Sequence, residues 1–279
     1  MSRRVAVVTG ANKGIGFAIV KNLCGHPFNG DVILASRDES RGLAAVKALN
    51  GLGFKPIYHQ LDIDDNESIN TLKQYLMDNY QGLDVLVNNA AIAYKTDSTA
   101  PVEEQADNTL KTNFFSTRNV CQKLFPILRS HARVVNVSSS AGMLRNVRDE
   151  SLRKRFSDPN LTDKQLLDLV NEYLNDVHSG QHVRKGWPNS TYSASKISLS
   201  ALTFIQQREL DADPTREDIV VNAVHPGYVD TDMTSHKGRL TIEAGADAPS
   251  YLALLPHNCN EPKGAMVWTD RQIVDWTSA

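Results

Sequence analysis

Tyr192 and Lys196, four residues apart in YSASK, have the types and spacing of a proton-transfer pair. On a helix that spacing puts both side chains on one face. The ammonium then lies near the phenol and favours phenolate. A free tyrosine has a pKa of about 10, too high for proton transfer near neutrality. A neighbouring cation draws it toward the working range. Such a pair alone is common on solvated helices, and its weight comes from company. Five further motifs accompany it: TGANKGIG at Thr9 to Gly16, NNAA at Asn88 to Ala91, KTNFF around Asn113, NVSSS at Asn136 to Ser140, and HPGYVDT at His225 to Thr231.

Gly10, Gly14 and Gly16 follow a strand-like run and open a helix-like one, the context of a dinucleotide turn. Glycine allows the backbone to approach a pyrophosphate, and the helix N-terminus adds N–H donors and positive partial charge. Asn12, Lys13 and Ile15 share that turn. The spacing is G-x3-G-x-G, and a structural turn without ligand is the competing reading. A triphosphate-binding loop is disfavoured, because Lys13 precedes Gly14 and no Gly-Lys-Ser or Gly-Lys-Thr occurs.

The end of the second strand bears on which dinucleotide binds. An acid there suits the ribose hydroxyls of NAD, and an arginine suits the 2′-phosphate of NADP. Ser36 and Arg37 stand there, then Asp38. Arg37 and Lys13 facing one phosphate favour NADPH/NADP+ by charge and, for Arg37, by bidentate geometry. The bland alternative is two solvated surface charges. Asp62, Asn89, Ser139 and the Pro226–Gly227 turn fall at other strand ends, where ligands of open parallel sheets bind. Taken singly, the asparagines suit turns and the serines suit helix caps. Asn113 sits mid-helix, where asparagine is a poor helix former, so it is expected to hold a water or bend the helix.

These residues need a scaffold, and the chain supplies an alternation of strands and helices. RVAVVT, DVILAS, KPIYHQLDI, LDVLVNNA, ARVVNVSSS, DIVVNAVHPG and GAMVW read as seven strands. Helices are expected over 14–24, 41–50, 66–79 with Asn66 as cap, 103–129 disturbed by Pro126, and from Tyr192 to about Leu210. Alternation implies right-handed crossovers and a doubly wound parallel sheet, an α/β Rossmann-type single domain over 1–279.

The 279 residues are 41% hydrophobic and 22% charged, enough for one large core. A net charge of −2 implies no general basic surface for nucleic acid. No long apolar run implies a membrane span. The start reads as a first strand rather than a signal peptide, so the N-x-S/T sequons carry no weight. Cys24, Cys121 and Cys259, without CxxC, imply neither disulfide nor metal site and suit a reducing, cytoplasmic setting.

The motif set is similar to that of the short-chain dehydrogenase/reductases, and within them the animal cytosolic carbonyl reductases. The resemblance runs from Val5 to about Trp276 and includes NKGIGFAIV, HQLDIDD, LDVLVNNA, KTNFF, VVNVSS and YLALLP. It implies that Ser139 polarises a substrate carbonyl, that Tyr192 donates the proton, and that Lys196 lowers the tyrosine pKa and holds the nicotinamide ribose. It implies that Asn113 anchors a water linking Lys196 to solvent. Asp62 and Ile63 would border the adenine, Asn89 the next ribose, and Val229 to Thr231 with Pro226 and Gly227 the nicotinamide side. In this family the serine closely precedes the tyrosine; here residues 140–191 intervene. Their charged, helix-like part, about 146–186, matches an insertion in the monomeric carbonyl reductases. Its stripe of Leu166, Leu167, Val170, Tyr173 and Leu174 recurs at helical spacing. Folded over the helix that carries Tyr192, it would leave the chain a monomer.

The resemblance departs at Ala91, where the family commonly has glycine, and at His225, where relatives often have cysteine. Tyr94 and Tyr228 fall where the subgroup places aromatic pocket residues, and with Trp187 they are expected to edge an aromatic substrate mouth. The activity implied is NADPH-dependent reduction of ketones, aldehydes and quinones. NAD-dependent oxidation of a steroid or other alcohol, and a non-catalytic dinucleotide sensor, are the alternatives.

Overall fold

In the computed structural model, which describes residues 3–25 and 28–278, the β-branched runs form the middle of one sheet. The strands are β1 Arg4–Thr9, β2 Gly30–Ser36, β3 Ile57–Gln60, β4 Leu83–Asn88, β5 Leu128–Val137, β6 Val220–Val224, β7 Met266–Val267 and β8 Ile273–Val274. Their order is β3-β2-β1-β4-β5-β6-β7-β8. The first seven are parallel and β8 runs antiparallel to β7. Seven strands were expected and eight are present among the described residues. The eighth is a two-residue hairpin partner, too short for a periodic signal.

The helices are α1 Gly14–Gly25, α2 Glu39–Gly51, α3 Asn66–Tyr80, α4 Val102–Leu110, α5 Thr117–Leu124, α6 Glu150–Phe156, α7 Asp163–His178, α8 Thr191–Ala212 and α9 Ile242–Ala253. Successive strand residues feed opposite layers, as a pleated strand requires. Ala6 and Val8 join the cluster formed with α1 and α9, whereas Val5 and Val7 join the one formed with α3 and α5. Both faces are covered, which explains strands that read as continuous apolar runs.

Three local expectations are corrected. Asp65, not Asn66, caps α3, its carboxylate accepting from the Glu67 N–H at 3.0 Å. The stretch 103–129 is not one or two plain helices. A π-helical turn, Lys111–Ser116, joins α4 to α5, and Pro126 sits in a closing 3₁₀ turn. The third strand stops at Gln60, so Asp62 and Ile63 lie in the loop beyond it. Helix α9, with Pro249 inside it, was not among the expected helices.

The residues expected as an insertion form α6 and α7, capped by Asp149 and by a Thr162–Gln165 capping box. Leu166, Leu169, Val170, Tyr173 and Val177 are buried against Ile197, Ala201 and Ile205 of α8 and Ala106 and Leu110 of α4, with Leu167 and Leu174 partly buried beside them. Among the described residues no helix is long and apolar enough to cross a membrane.

Candidate active site

Because β1 to β7 are parallel, the loops after Thr9, Ser36, Asn88, Val137 and Val224 open at one edge of the sheet. The glycine turn sits at its centre. Gly10 and Gly14 have φ of +61° and +60°, open to glycine and strained for other residues. A Cβ at Gly16 would lie 2.5 Å from the Asn89 amide and 2.8 Å from the Gly10 carbonyl. Asn89 braces the turn, donating to the carbonyls of Thr9 and Gly10 at 2.9 and 3.1 Å. Thr9, not singled out from the sequence, accepts the backbone N–H groups of Asn89 and Ala90, both at 3.0 Å. The result is a backbone-lined cradle at the start of α1, whose first turn carries no acid to repel a phosphate. Ile15 packs under the cradle, and Asn12 lies at its surface, half-buried.

At the end of β2 the structure separates two neighbours. Asp38 caps α2, accepting from the Arg41 N–H at 2.8 Å and the Arg41 guanidinium at 2.9 Å. These bonds hold its carboxyl below the usual carboxylate range. It is therefore engaged locally rather than offered to ribose hydroxyls, while Arg37 is exposed. Arg41, paired with Asp38 at 2.9 Å, adds a second cation at this end of the sheet. Lys13 does not join them: its ammonium pairs with Asp232 at 2.6 Å. Beyond β3, Asp62 closes its own turn, accepting from the Asp64 N–H at 3.0 Å, and Ile63 is buried. Together the cradle and the cations fit a phosphorylated dinucleotide.

The three consecutive serines have three fates. Ser138 is buried and bonds to Ser200 at 2.8 Å. Ser139 accepts from the Ala141 N–H at 3.1 Å, and its side chain lies near enough to the Tyr192 phenol to pull that pKa down. Ser140 donates its N–H to His225 Nδ1 at 3.0 Å. That acceptor role, with burial that pushes the imidazole down to about 4, keeps His225 neutral. His225 is thus a packing residue against Trp268, ring centroids 4.4 Å apart.

Tyr192 and Lys196 lie one turn apart on α8, as the spacing predicts. The Lys196 ammonium is 5.7 Å from the Tyr192 ring centre and donates to the Val137 carbonyl at 2.8 Å. The expected depression of the tyrosine pKa is not what this arrangement produces. Burial pushes Tyr192 up to about 12, with the Ser139 bond opposing. Burial also pulls Lys196 down to about 8. Desolvation is the largest cause of both shifts, so the phenol is held protonated.

Asn113 lies in the π turn and is 1% exposed. Its Oδ1 accepts from the Ile92 N–H at 2.8 Å; its Nδ2 donates to the Ile92 carbonyl at 2.9 Å and to Ser195 at 3.0 Å. Both amide hydrogens are spent on protein, so its side chain pins the loop after β4 to α8. Of the two expectations for Asn113, a held water or a bent helix, the π turn agrees with the second.

Of the expected aromatic mouth, Tyr94 and Tyr228 lie on loops after β4 and β6. Tyr94 accepts from Asn108 at 2.7 Å, and Tyr228 is 50% exposed. Trp187 is corrected: it is 2% exposed, donates to Asp176 at 2.8 Å and packs edge-on against Phe156 and Tyr173. It belongs to the core under α7, not to an open mouth. After β6, Gly227 takes φ +90°, Pro226 precedes it, Val229 is buried, and Thr231 abuts Gly14.

A doubly wound sheet with a dinucleotide cradle and a Ser-Tyr-Lys constellation at one edge defines a nucleotide-dependent oxidoreductase. The chain belongs to the short-chain dehydrogenase family, whose model matches residues 4–149 and 176–240. The match breaks where α6 and most of α7 stand. Over 275 residues it is 50% identical to "Carbonyl reductase [NADPH] 3" of Rattus norvegicus, covering 98% of each chain. Over 277 residues it is 47% identical to "Carbonyl reductase [NADPH] 1" of Mus musculus, covering 99% of each. Among solved structures, salutaridine reductase from Papaver somniferum superposes with a TM-score of 0.84 at 32% identity, over 95% of this chain and 99% of that one.

Proposed function

We propose that this chain is an NADPH-dependent carbonyl reductase acting on ketones, aldehydes and quinones, with Tyr192 as proton donor. The observation that carries this is the gathering of Ser139, Tyr192 and Lys196 at one sheet edge, next to a glycine cradle followed by Arg37 at the end of β2. NADPH supplies the hydride when bound. Ser139 holds the substrate oxygen and Tyr192 gives it a proton as negative charge develops. Lys196 places a cation beside them, and Asn113 is a positioning residue that ties the loop after β4 to α8. Gly10, Asn12, Gly14, Ile15 and Gly16 hold the pyrophosphate end. Arg37 takes the 2′-phosphate with Lys13 as the second cation, and Asp62, Ile63 and Asn89 border the adenosine. Pro226, Gly227, Val229 and Thr231 border the nicotinamide. Tyr94 and Tyr228 favour planar, apolar carbonyls over small polar ones. The engagement of Asp38 as a helix cap weighs against NAD-dependent alcohol oxidation.

A carbonyl panel run with both cofactors tests this reading. NADPH is expected to outperform NADH, and quinones to outperform sugars. Arg37→Asp should lower kcat/KM for NADPH by about ten- to a hundredfold, the scale of a charge-assisted bond, and spare NADH. Equal use of the two cofactors by the wild type would remove Arg37 from this role.

The chain is read as one domain over 1–279, cytoplasmic and monomeric, with 146–186 as an insertion. Burial of the α7 stripe against α4 and α8 supports the last point, since it leaves that stripe no partner to seek. Light scattering after size exclusion should return the mass of one 279-residue chain. A stable dimer at micromolar protein would contradict this.

A further inference from the structure

Lys13 projects from the turn after β1, and β2 and β6 lie on opposite sides of β1 in the sheet. Its partner Asp232 follows β6, so the ammonium leans away from Arg37. The contact is one bond of a charged knot. The Asp232 carboxylate also meets His236 Nε2 at 3.1 Å, and His236 Nδ1 meets Asp230 at 2.7 Å. Lys95, from the loop after β4, donates to the Asp232 carbonyl and to the Ser235 hydroxyl, the latter at 2.9 Å. Three loops that border the cradle are thereby tied at one point. Asp232 keeps other partners if Lys13 leaves. The Lys13 and Asp232 side chains are 58% and 57% exposed, so exchanging this partner costs little.

We propose that Asp232 is a specificity-determining residue: its carboxylate holds Lys13 on the β6 side of the cradle, withholds that cation from the 2′-phosphate end, and so tempers the preference for NADPH over NADH. Lys13 has two alternative anions, one in the protein and one on the cofactor. Removing the protein's anion strengthens the claim of the other. The inference rests on the reading of Lys13 and Arg37 as the 2′-phosphate cations.

Dissociation constants for NADPH and NADH, measured by fluorescence titration at low salt, test it in the wild type, Asp232→Asn, Lys13→Ala and the double variant. Asp232→Asn is expected to tighten NADPH by about two- to fivefold, the scale of an exposed ion pair, with a smaller change for NADH. The gain should vanish in the Lys13→Ala background and shrink at high salt. An unchanged or weaker NADPH affinity, an equal gain for both cofactors, or a gain that survives Lys13→Ala would each overturn the proposal. If Lys13→Ala leaves NADPH affinity intact, the reading of Lys13 fails and the proposal with it. If Lys13→Ala selectively weakens NADPH but Asp232→Asn gives no gain, only the proposal fails.

Discussion

Tyr192→Phe should lose at least about a hundredfold in turnover, the usual worth of a positioned proton donor, while still binding NADPH. Phenylalanine keeps the ring and removes only the hydroxyl whose pKa Ser139 lowers. Nothing in the cradle around Gly10 to Gly16 depends on that hydroxyl. Steady-state rates and fluorescence titration separate the two effects. A variant that kept most of its turnover would exclude Tyr192 as donor. The pH profile sharpens the test. Tyr192, at about 12, stays protonated through the accessible range. Lys196, at about 8, loses its proton first as pH rises. The cationic form is present below that value and lost above it. The alkaline fall of kcat/KM for NADPH, which reports the free enzyme, is therefore expected near pH 8 and should follow Lys196. A profile flat beyond pH 10 would show that the lysine charge is not needed.

Asp176→Ala is expected to destabilise the protein by about 3 kcal/mol, because it strips the partner from the Trp187 indole N–H, which cannot reach water. Asp176 is 4% exposed. One oxygen takes Lys185 at 2.6 Å and the other takes the Trp187 indole N–H at 2.8 Å. Its carbonyl accepts the N–H groups of Gln181 and His182. The carboxylate is thus the clasp that closes the chain after α7 and delivers it to α8. Without it the buried indole N–H is orphaned and Lys185 loses its anchor. For a chain of this size that loss lowers Tm by roughly 6–12 °C. Asp176→Asn, which keeps an acceptor for the indole, should recover part of it. Calorimetry on the three proteins decides; an Ala variant melting with the wild type would show that the clasp contributes nothing.

Features set by local spacing were the legible ones. Tyr192 and Lys196 face one way because four residues make about one helical turn, and nothing distant changes that. The glycine turn was legible for the same reason: strand, turn and helix are adjacent in sequence. Features decided by distant partners were not. Trp187 reads as a mouth residue or a core residue alike until Asp176 is known to lie beside it. Lys13 beside Arg37 in function was a statement about charge, and Asp232 lies 219 residues away. Lys196 illustrates a further kind of miss. Its position was right, but the balance between attraction and desolvation depends on burial, which four residues of sequence do not report. Asp65 was missed as the α3 cap because Asp and Asn are equally good caps and stand side by side.

The π turn at Lys111–Ser116 has a consequence for insertions and deletions. Such a turn holds one residue more than an α turn, with i→i+5 in place of i→i+4 bonding. Losing a residue from an ordinary helix rotates everything beyond it by about 100°, since 3.6 residues complete a turn. Losing one here instead returns the segment to α geometry and leaves both flanks in phase. Ala106 and Leu110 would still face the insertion, and Val120, Cys121 and Leu124 would still face the sheet. Only Asn113 would be displaced from Ile92 and Ser195. A single-codon deletion in this stretch is therefore a change to which the fold is nearly indifferent and the site is not. At this one turn, the ancestry of the scaffold and the ancestry of its chemistry can part.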